Sequence, residues 1–309
     1  MNPPGAGGRQ GLMLVDKPRG LTSHDVVARL RRLAGQKKIG HTGTLDPLAT
    51  GLLAVLMGAA TRLEPYLSRM NKTYLARVEL GLVTDTDDAD GRVLGRHPGP
   101  WPAEEEVRRA LRVGEGEGDQ VPPAFSAIKV AGRRAYRAAR AGSPLDLAPR
   151  RVTAFRLELL GYEPPHLDLI AEVSAGYYIR ALARDLGLNL GLGGGALTAL
   201  RRERVGPWSV EQARTLEEMA GWTEEEWQGH LRPPAEALPH WPELVLADQR
   251  AARFTQGRPV GTADEPGRYK ISDARGRFLG LGQIDAVATG GETAPRGPFL
   301  RPLRVFPAL

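Results

Sequence analysis

A loop rich in glycine and threonine presents one carboxylate between two apolar segments, and it constrains the fold more than any other stretch. Residues 40–53 read GHTGTLDPLATGLL, with Asp46 at the centre. Pro47 biases Asp46 away from the helical conformation, and the glycines allow a backbone or ligand to approach closely. His41 adds an imidazole that can stack or donate a hydrogen bond. Taken alone, a structural Asp-Pro turn beside a surface histidine is the simpler explanation.

The hydrophobic pattern around this loop predicts a mixed α+β chain. Apolar or alternating runs indicate strands at 11–18, 72–83, 152–163, 166–175 and 196–206. Helical spacing predicts helices at 23–33, 103–112 and 176–190, the first with Ser23 as its N-cap. We expect an ordered loop at 36–50 and short helices within 206–243. After a boundary near 242, short strands with glycine turns predict a small all-β module.

Composition excludes several functional classes. The chain has no cysteine, so disulfides, thiolate metal sites and cysteine nucleophiles are ruled out. Apolar runs are too short for a membrane span, and residues 1–11 lack the apolar core of a signal peptide. We therefore expect a cytoplasmic protein without membrane contact. The scattered histidines argue against zinc, and residues 85–90 lack the later glutamate of a calcium loop, so no metal is expected.

Basic residues outnumber acidic ones, and they are concentrated in one stretch of the chain. The net charge is +6, and residues 124–156 hold eight Lys or Arg against Asp146. Arginine grips phosphate and stacks on bases, so this stretch favours contact with nucleic acid. The alternative is an arginine-rich composition spread over solvated faces.

Several motifs, in order along the chain, resemble the TruB-type pseudouridine synthases, which isomerise a uridine in the T arm of tRNA. The loop GHTGTLDPLATG is similar to the catalytic motif of that family. The other matching segments are LMLVDKPRGLTSHDVV, KTY at 72–74, TDTDDADG, VPPAFSAIKVAGRRAYRAAR and GYYIR at 176–180. The resemblance implies a pseudouridine-synthase-like sheet, mixed and largely antiparallel, with flanking helices. It also implies a catalytic domain at 9–241 with a thumb-like insertion at about 124–152, and a PUA-like RNA-binding domain at 242–309.

The resemblance also implies roles for individual residues. It makes Asp46 the nucleophile and Arg180 its charged partner. Tyr74 would pack against the target uracil and be needed for turnover. His41 would help hold the flipped-out RNA, and Tyr178, rather than Tyr177, and Leu200 would contact the base. Asp88 is a further candidate for orienting Arg180.

The implied reaction cuts the bond between C1′ and N1, turns the uracil and rejoins it through C5, at position 55 of tRNA. No group is oxidised or lost, so a nucleophile suffices and no cofactor is implied. Attack at C6 of the uracil and attack at C1′ of the ribose both remain open. The expected partner is the tRNA T stem-loop, with no obligate protein partner evident. The rival function is a non-catalytic tRNA-binding protein, which would have no chemical reason to keep Asp46, Tyr74 and Arg180 together.

Overall fold

The computed structural model describes residues 8–130, 132–143, 145–285 and 298–306 and confirms the α+β class. Its helices are α1 (Ser23–Leu33), α2 (Glu64–Leu67), α3 (Glu104–Val113), α4 (Ala135–Arg140), α5 (Ile179–Asn189), α6 (Leu216–Ala220), α7 (Glu224–His230) and α8 (Asp248–Thr255). Its strands are β1 (Gly11–Lys17), β2 (Ile39–His41), β3 (Thr50–Met57), β4 (Lys72–Leu80), β5 (Leu82–Thr84), β6 (Val93–Arg96), β7 (Gly116–Gln120), β8 (Lys129–Val130), β9 (Arg133–Arg134), β10 (Arg150–Glu163), β11 (His166–Val173), β12 (Gly195–Val205), β13 (Trp208–Ser209), β14 (Glu243–Leu246), β15 (Val260–Gly261), β16 (Gly267–Asp273), β17 (Phe278–Ile284) and β18 (Phe299–Val305).

A large sheet organises the N-terminal part of the chain. Among the described strands, nine join it in the order β1-β3-β12-β4-β11-β10-β7, with β2 added to β3 and β13 to β12. Neighbours run antiparallel except β3 and β12, so the sheet is mixed and largely antiparallel, as predicted. Apolar side chains of α1 and α5, such as Val26 and Leu186, pack with the sheet residues in one buried cluster.

The parallel contact between β3 and β12 is short. It comprises two residue pairs, Thr50 with Arg201 and Gly51 with Arg202. Gly51 has a φ of +96°, and a Cβ built there would lie 2.4 Å from the carbonyl oxygen of Arg202. Only glycine therefore lets the two backbones approach so closely at this point.

Helix α1 begins one residue earlier than the predicted cap implies. Thr22, not Ser23, is the N-cap: its hydroxyl accepts from the Asp25 N–H at 3.1 Å, and the Asp25 carboxylate accepts from the Thr22 N–H at 2.9 Å. This capping box satisfies donors that the first turn would otherwise leave free. Ser23 is the first helical residue, so its hydroxyl is available for another partner.

Three further elements differ from the sequence-based expectation. The predicted loop at 36–50 contains β2, because Ile39–His41 pairs with the edge of β3. The helix predicted from 176 starts at Ile179, after Gly176 at a φ of +87°. Helix α8 lies in the module that the sequence predicts to be all-β, and it packs on the second sheet through Phe254.

A second sheet forms the C-terminal module. Its order is β14-β16-β17-β18-β15, and α8 packs against it through Phe254. Leu281 and Phe306 of this region are buried in the same apolar cluster as Leu63 from the first region. The Arg62 guanidinium also donates to the carbonyl of Val305. The two sheets are thus joined by a shared apolar core.

The segment predicted to be a thumb-like insertion carries its own small elements. Strand β8 pairs antiparallel with β9, and α4 follows directly. Arg133, Arg137 and Arg140 are exposed there. Elsewhere, none of the helices in the described part of the chain combines the length and apolar character that a membrane span requires.

We predict that Gly51→Ala destabilises the protein by about 2–4 kcal/mol, because the new Cβ both strains the backbone and collides with Arg202. Gly191→Ala is the matched control, since Gly191 also has a positive φ, +73°, but no atom within 4 Å of a built Cβ. Urea unfolding should show a clearly smaller loss for the control. Equal losses would mean that backbone strain alone, and not the close contact, requires glycine at position 51.

Candidate active site

The loop that carries Asp46 connects β2 to β3 and is held through its backbone. The Thr42 N–H donates to Ala54 of β3 at 3.0 Å, and the Gly20 N–H donates to the carbonyl of Pro47 at 2.8 Å. The Ala49 N–H closes a turn on the carbonyl of Asp46 at 3.1 Å. These bonds fix the path of the loop on both sides of the carboxylate.

Two side chains from distant parts of the sequence hold the same loop. Ser23 accepts from the Leu45 N–H at 2.8 Å and donates to the Leu45 carbonyl at 3.1 Å. Arg202, which is 2% exposed, donates to the carbonyl of Gly43 at 3.1 Å and to that of Leu52 at 2.6 Å. The loop is therefore attached to α1 and to β12 by buried hydrogen bonds.

Asp46 faces Arg180, as the sequence analysis expected of that pair. Arg180 Nε lies 2.9 Å from Asp46 Oδ2, with the arginine side chain 6% and the aspartate side chain 38% exposed. The Nε–H does not point along this contact, so charge rather than an aligned hydrogen bond joins the two groups. Arg180 is anchored instead by its donation to the carbonyls of Thr86 at 2.8 Å and Phe125 at 3.0 Å.

Asp88 is a second carboxylate near this guanidinium. Its Oδ2 lies 3.7 Å from Arg180 Nε, and its Oδ1 accepts from the Thr86 hydroxyl at 2.7 Å. Burial raises the pKa of Asp88, while the Thr86 hydrogen bond and Arg180 act in the opposite direction. Asp46 is thus the more exposed of the two carboxylates and the one that a substrate can reach.

One cleft of about 350 Å³ brings together the six residues that the sequence analysis selected, namely His41, Asp46, Tyr74, Tyr178, Arg180 and Leu200. Tyr74 on β4 is 8% exposed, and Leu200 on the neighbouring β12 is 9% exposed. Tyr178 caps α5, and its backbone N–H and carbonyl both bond to the Gln120 side chain, at 2.9 and 3.1 Å. Tyr177 lines the cleft as well, although the resemblance favoured Tyr178 alone.

The tautomer of His41 is set by its neighbour. Its Nδ1 accepts from the Gly43 N–H at 3.3 Å, so the neutral ring carries its proton on Nε2. Burial lowers the pKa of His41 to about 4, and the nearby His24 and Arg202 add to this effect. The ring is therefore a neutral donor at physiological pH.

Three buried cations at the cleft are not among the residues to which the motif resemblance gives a role: Lys72 and Arg202 line the cleft, and Lys17 lies near Asp46. Lys17 is 0% exposed, and burial lowers its pKa to about 8, an effect that nearby Asp46 opposes. Lys72 is 8% exposed, and burial, reinforced by Arg202, also lowers its pKa to about 8. The signal was available for the lysines, since each lies at the end of an otherwise apolar or alternating strand.

Hydrogen bonds to backbone carbonyls stabilise the charged form of the two lysines. Lys72 Nζ donates to the carbonyls of Ser68 at 2.6 Å and Met70 at 2.5 Å. Lys17 Nζ donates to those of Pro18 at 2.9 Å and Leu21 at 2.6 Å. Because the carbonyls carry no net charge, the floor of the cleft remains positive. A positive floor favours a bound anion or a negatively charged transition state.

The geometry suits reaction at a flat, uncharged ring carried by a polyanion. Asp46 is an accessible carboxylate next to a fixed guanidinium, which suits nucleophilic attack. Tyr74 and Leu200 supply an aromatic and an aliphatic surface on which a base taken out of its stack can rest.

Family models match two parts of the chain. The model of the TruB family pseudouridylate synthase N-terminal domain matches residues 31–179. The model of the pseudouridine synthase II TruB C-terminal region matches residues 242–295.

Curated relatives extend the similarity over most of the chain. A tRNA pseudouridine synthase B of Thermobifida fusca is 45% identical over 282 residues, covering 88% of this chain and 94% of the relative. A protein of the same description from Arthrobacter sp. strain FB24 is 43% identical over 305 residues, covering 96% of each chain.

Solved structures share the fold. A Cbf5–Nop10–Gar1 complex matches with a TM-score of 0.73 and 26% identity, covering 96% of this chain and 85% of the matched one. An H/ACA RNP bound to a substrate RNA containing 2′-deoxyuridine matches with a TM-score of 0.72 and 25% identity, covering 99% and 87%.

We predict that His41 stays neutral down to about pH 5, with a midpoint near pH 4 in an NMR titration of its ring protons. Because the folded pKa lies below that of the unfolded chain, the unfolded state binds more protons between pH 6.5 and pH 4. The neutral ring therefore makes its full contribution to the free energy of unfolding above pH 6.5, and this contribution is lost as the pH falls toward 4.

The loss should be on the order of 1–3 kcal/mol, and His41→Gln should remove this part of the pH dependence. Urea unfolding of both proteins at pH 7 and pH 4.5 measures the difference. A His41 midpoint near 6.5 would contradict the assignment.

Proposed function

The chain belongs to the TruB family of pseudouridylate synthases, and on this premise we propose that it converts uridine to pseudouridine at position 55 in the T arm of tRNA. The observation that carries the proposal is the contact between Asp46 and Arg180 in the cleft that Tyr74 also lines. A pure binding protein has no use for a reachable carboxylate beside a fixed guanidinium. The relatives described as tRNA pseudouridine synthase B support tRNA as the substrate.

In this proposal Asp46 is the nucleophile. It bonds either to C6 of the uracil or to C1′ of the ribose, the glycosidic bond from C1′ to N1 breaks, and the ring turns. A new bond then joins C1′ to C5, the C5 proton leaves, N1 gains a proton, and Asp46 is released as a carboxylate. Atoms and electrons balance without a cofactor.

The neighbouring residues assist each stage. Arg180 places a fixed positive charge beside the Asp46 carboxylate, at 2.9 Å from Nε to Oδ2. Tyr74 packs against the uracil, and Leu200 and Tyr178 contact the same base. His41, as a neutral Nε2 donor, holds the RNA around the flipped nucleotide.

We assign tRNA binding to surfaces outside the cleft as well. The exposed arginines of the thumb-like insertion at about 124–152 suit phosphate contacts. Residues 242–309 form the PUA-like RNA-binding domain, and residues 9–241 form the catalytic domain. The separate five-stranded sheet that begins with β14 supports this division. With tRNA as substrate, we expect the protein to work in the cytoplasm, and no obligate protein partner is evident.

We predict that Asp46→Asn abolishes conversion, because the amide cannot act as the nucleophile. Affinity for tRNA should stay within about tenfold, or roughly 1.4 kcal/mol. Pseudouridine formation is measured under single-turnover conditions, with enzyme in excess over an unmodified tRNA transcript. Asp168→Asn is the matched control, since Asp168 is half exposed on β11 and pairs with Arg77 on the surface.

If the control converts tRNA at the wild-type rate, the loss of conversion in Asp46→Asn is specific to position 46. If Asp46→Asn still converts tRNA, Asp46 is not the nucleophile, because asparagine suits an Asp-Pro turn well. If the wild type binds tRNA but does not convert it, the protein is the non-catalytic binder.

We also predict that an isolated T stem-loop is a substrate, because such proteins read shape and a splayed loop base rather than long sequence. An anticodon stem-loop of equal length is the matched control, and each product is mapped by carbodiimide treatment and primer extension. Conversion of the anticodon stem-loop alone would refute the T-arm assignment.

A further inference from the structure

The hydroxyl of Ser23 has an unusual set of partners for a side chain in the first turn of a helix. It is 0% exposed and bonds to both the N–H and the carbonyl of Leu45, at 2.8 and 3.1 Å. Leu45 is itself 3% exposed and directly precedes Asp46. The neighbouring Thr22 already caps α1, so Ser23 is not needed for that purpose.

We propose that Ser23 is a positioning residue for the isomerisation, acting through Leu45 to aim the carboxylate of Asp46. The inference rests on the proposed function, because it concerns the reaction assigned to Asp46. Ser23 does not line the cleft, so it acts through the loop and not on the substrate.

Arg180 alone does not set the direction of the carboxylate. Its Nε–H is not aligned with Asp46, although the two atoms lie 2.9 Å apart. An unaligned charge contact restrains distance more than orientation. The direction of the side chain must therefore come from the backbone that carries it.

That backbone is restrained on both sides of Asp46. Pro47 limits Asp46 to extended conformations, and the carbonyl of Pro47 is held by the Gly20 N–H. On the preceding side, two hydrogen bonds to a single residue fix the orientation of Leu45, and Ser23 makes both of them.

The other side-chain anchor of the loop acts farther away. Arg202 holds Gly43, three residues before Asp46. It is also a buried cation near Lys72, so replacing it would change the charge of the cleft as well as the position of the loop. Ser23→Ala instead removes one uncharged oxygen and leaves the charges unchanged.

The test compares Ser23→Ala with Thr22→Ala, a matched control that removes a hydroxyl from the adjacent residue. Thr22→Ala removes the cap of α1 but no bond to the catalytic loop. Single-turnover conversion of tRNA, tRNA affinity and thermal unfolding are measured for both variants and the wild type. We expect Ser23→Ala to slow conversion by about 10- to 100-fold, as small misplacements of a reacting group do. Its affinity should stay within about twofold, because no RNA contact is lost.

Thr22→Ala should lower the unfolding temperature yet keep its rate within about twofold of the wild type. A third variant, Ser23→Cys, retains a weak donor and acceptor and should give an intermediate rate. If Ser23→Ala does not fold, the comparison of Ser23→Cys with Thr22→Ala decides in its place.

Equal rates for wild type and Ser23→Ala would overturn the inference, as would an equal loss in Thr22→Ala. A weakened affinity with an unchanged single-turnover rate would also overturn it, since Ser23 would then serve binding. An inactive wild type is a different outcome, because it refutes the proposed function itself.

Discussion

The two halves of the large sheet meet through a single short parallel contact among the described strands, the pairing of Thr50 and Gly51 with Arg201 and Arg202. The loop that carries Asp46 leads directly into this contact from one side. From the other side, β12 brings Arg202 under the same loop and Leu200 into the cleft. Because the strands approach so closely, Gly51 has no room for a side chain. The position of the loop that carries Asp46 is thus a consequence of how the sheet is joined.

The site combines a half-exposed carboxylate with buried supports that are held by hydrogen bonds. The Asp46 side chain is more exposed than that of Arg180, and the groups that position it are fixed by hydrogen bonds to the backbone. Arg180 is held by two carbonyls, and the loop is held by Ser23 and Arg202. Such an arrangement fixes the groups around the carboxylate in advance, so that they do not need to rearrange during a reaction.

Local sequence patterns predicted many of the helices and strands. They failed where contacts between distant segments determine the structure. Alternation and helical spacing placed β4, β10, β11 and α1 because their periods are properties of the local sequence. Strand β2 was missed, because Ile39–His41 becomes a strand only by pairing with β3. Helix α8 is short, and it forms where Phe254 packs on the second sheet. The motif resemblance selected six residues that share one cleft, but the buried role of Arg202 depends on carbonyls contributed by other segments, which no local pattern contains.

The charges in and beneath the cleft are compensated largely by peptide groups. Lys72 is held by the carbonyls of Ser68 and Met70, and Arg180 by those of Thr86 and Phe125. Every amino acid brings the same carbonyl to its position in the chain. Mutations at these four supporting positions can therefore change the side chain without deleting the acceptor. The hydrogen-bond acceptors that hold these charges therefore depend on the path of the backbone. They remain in place when many of the surrounding side chains are substituted.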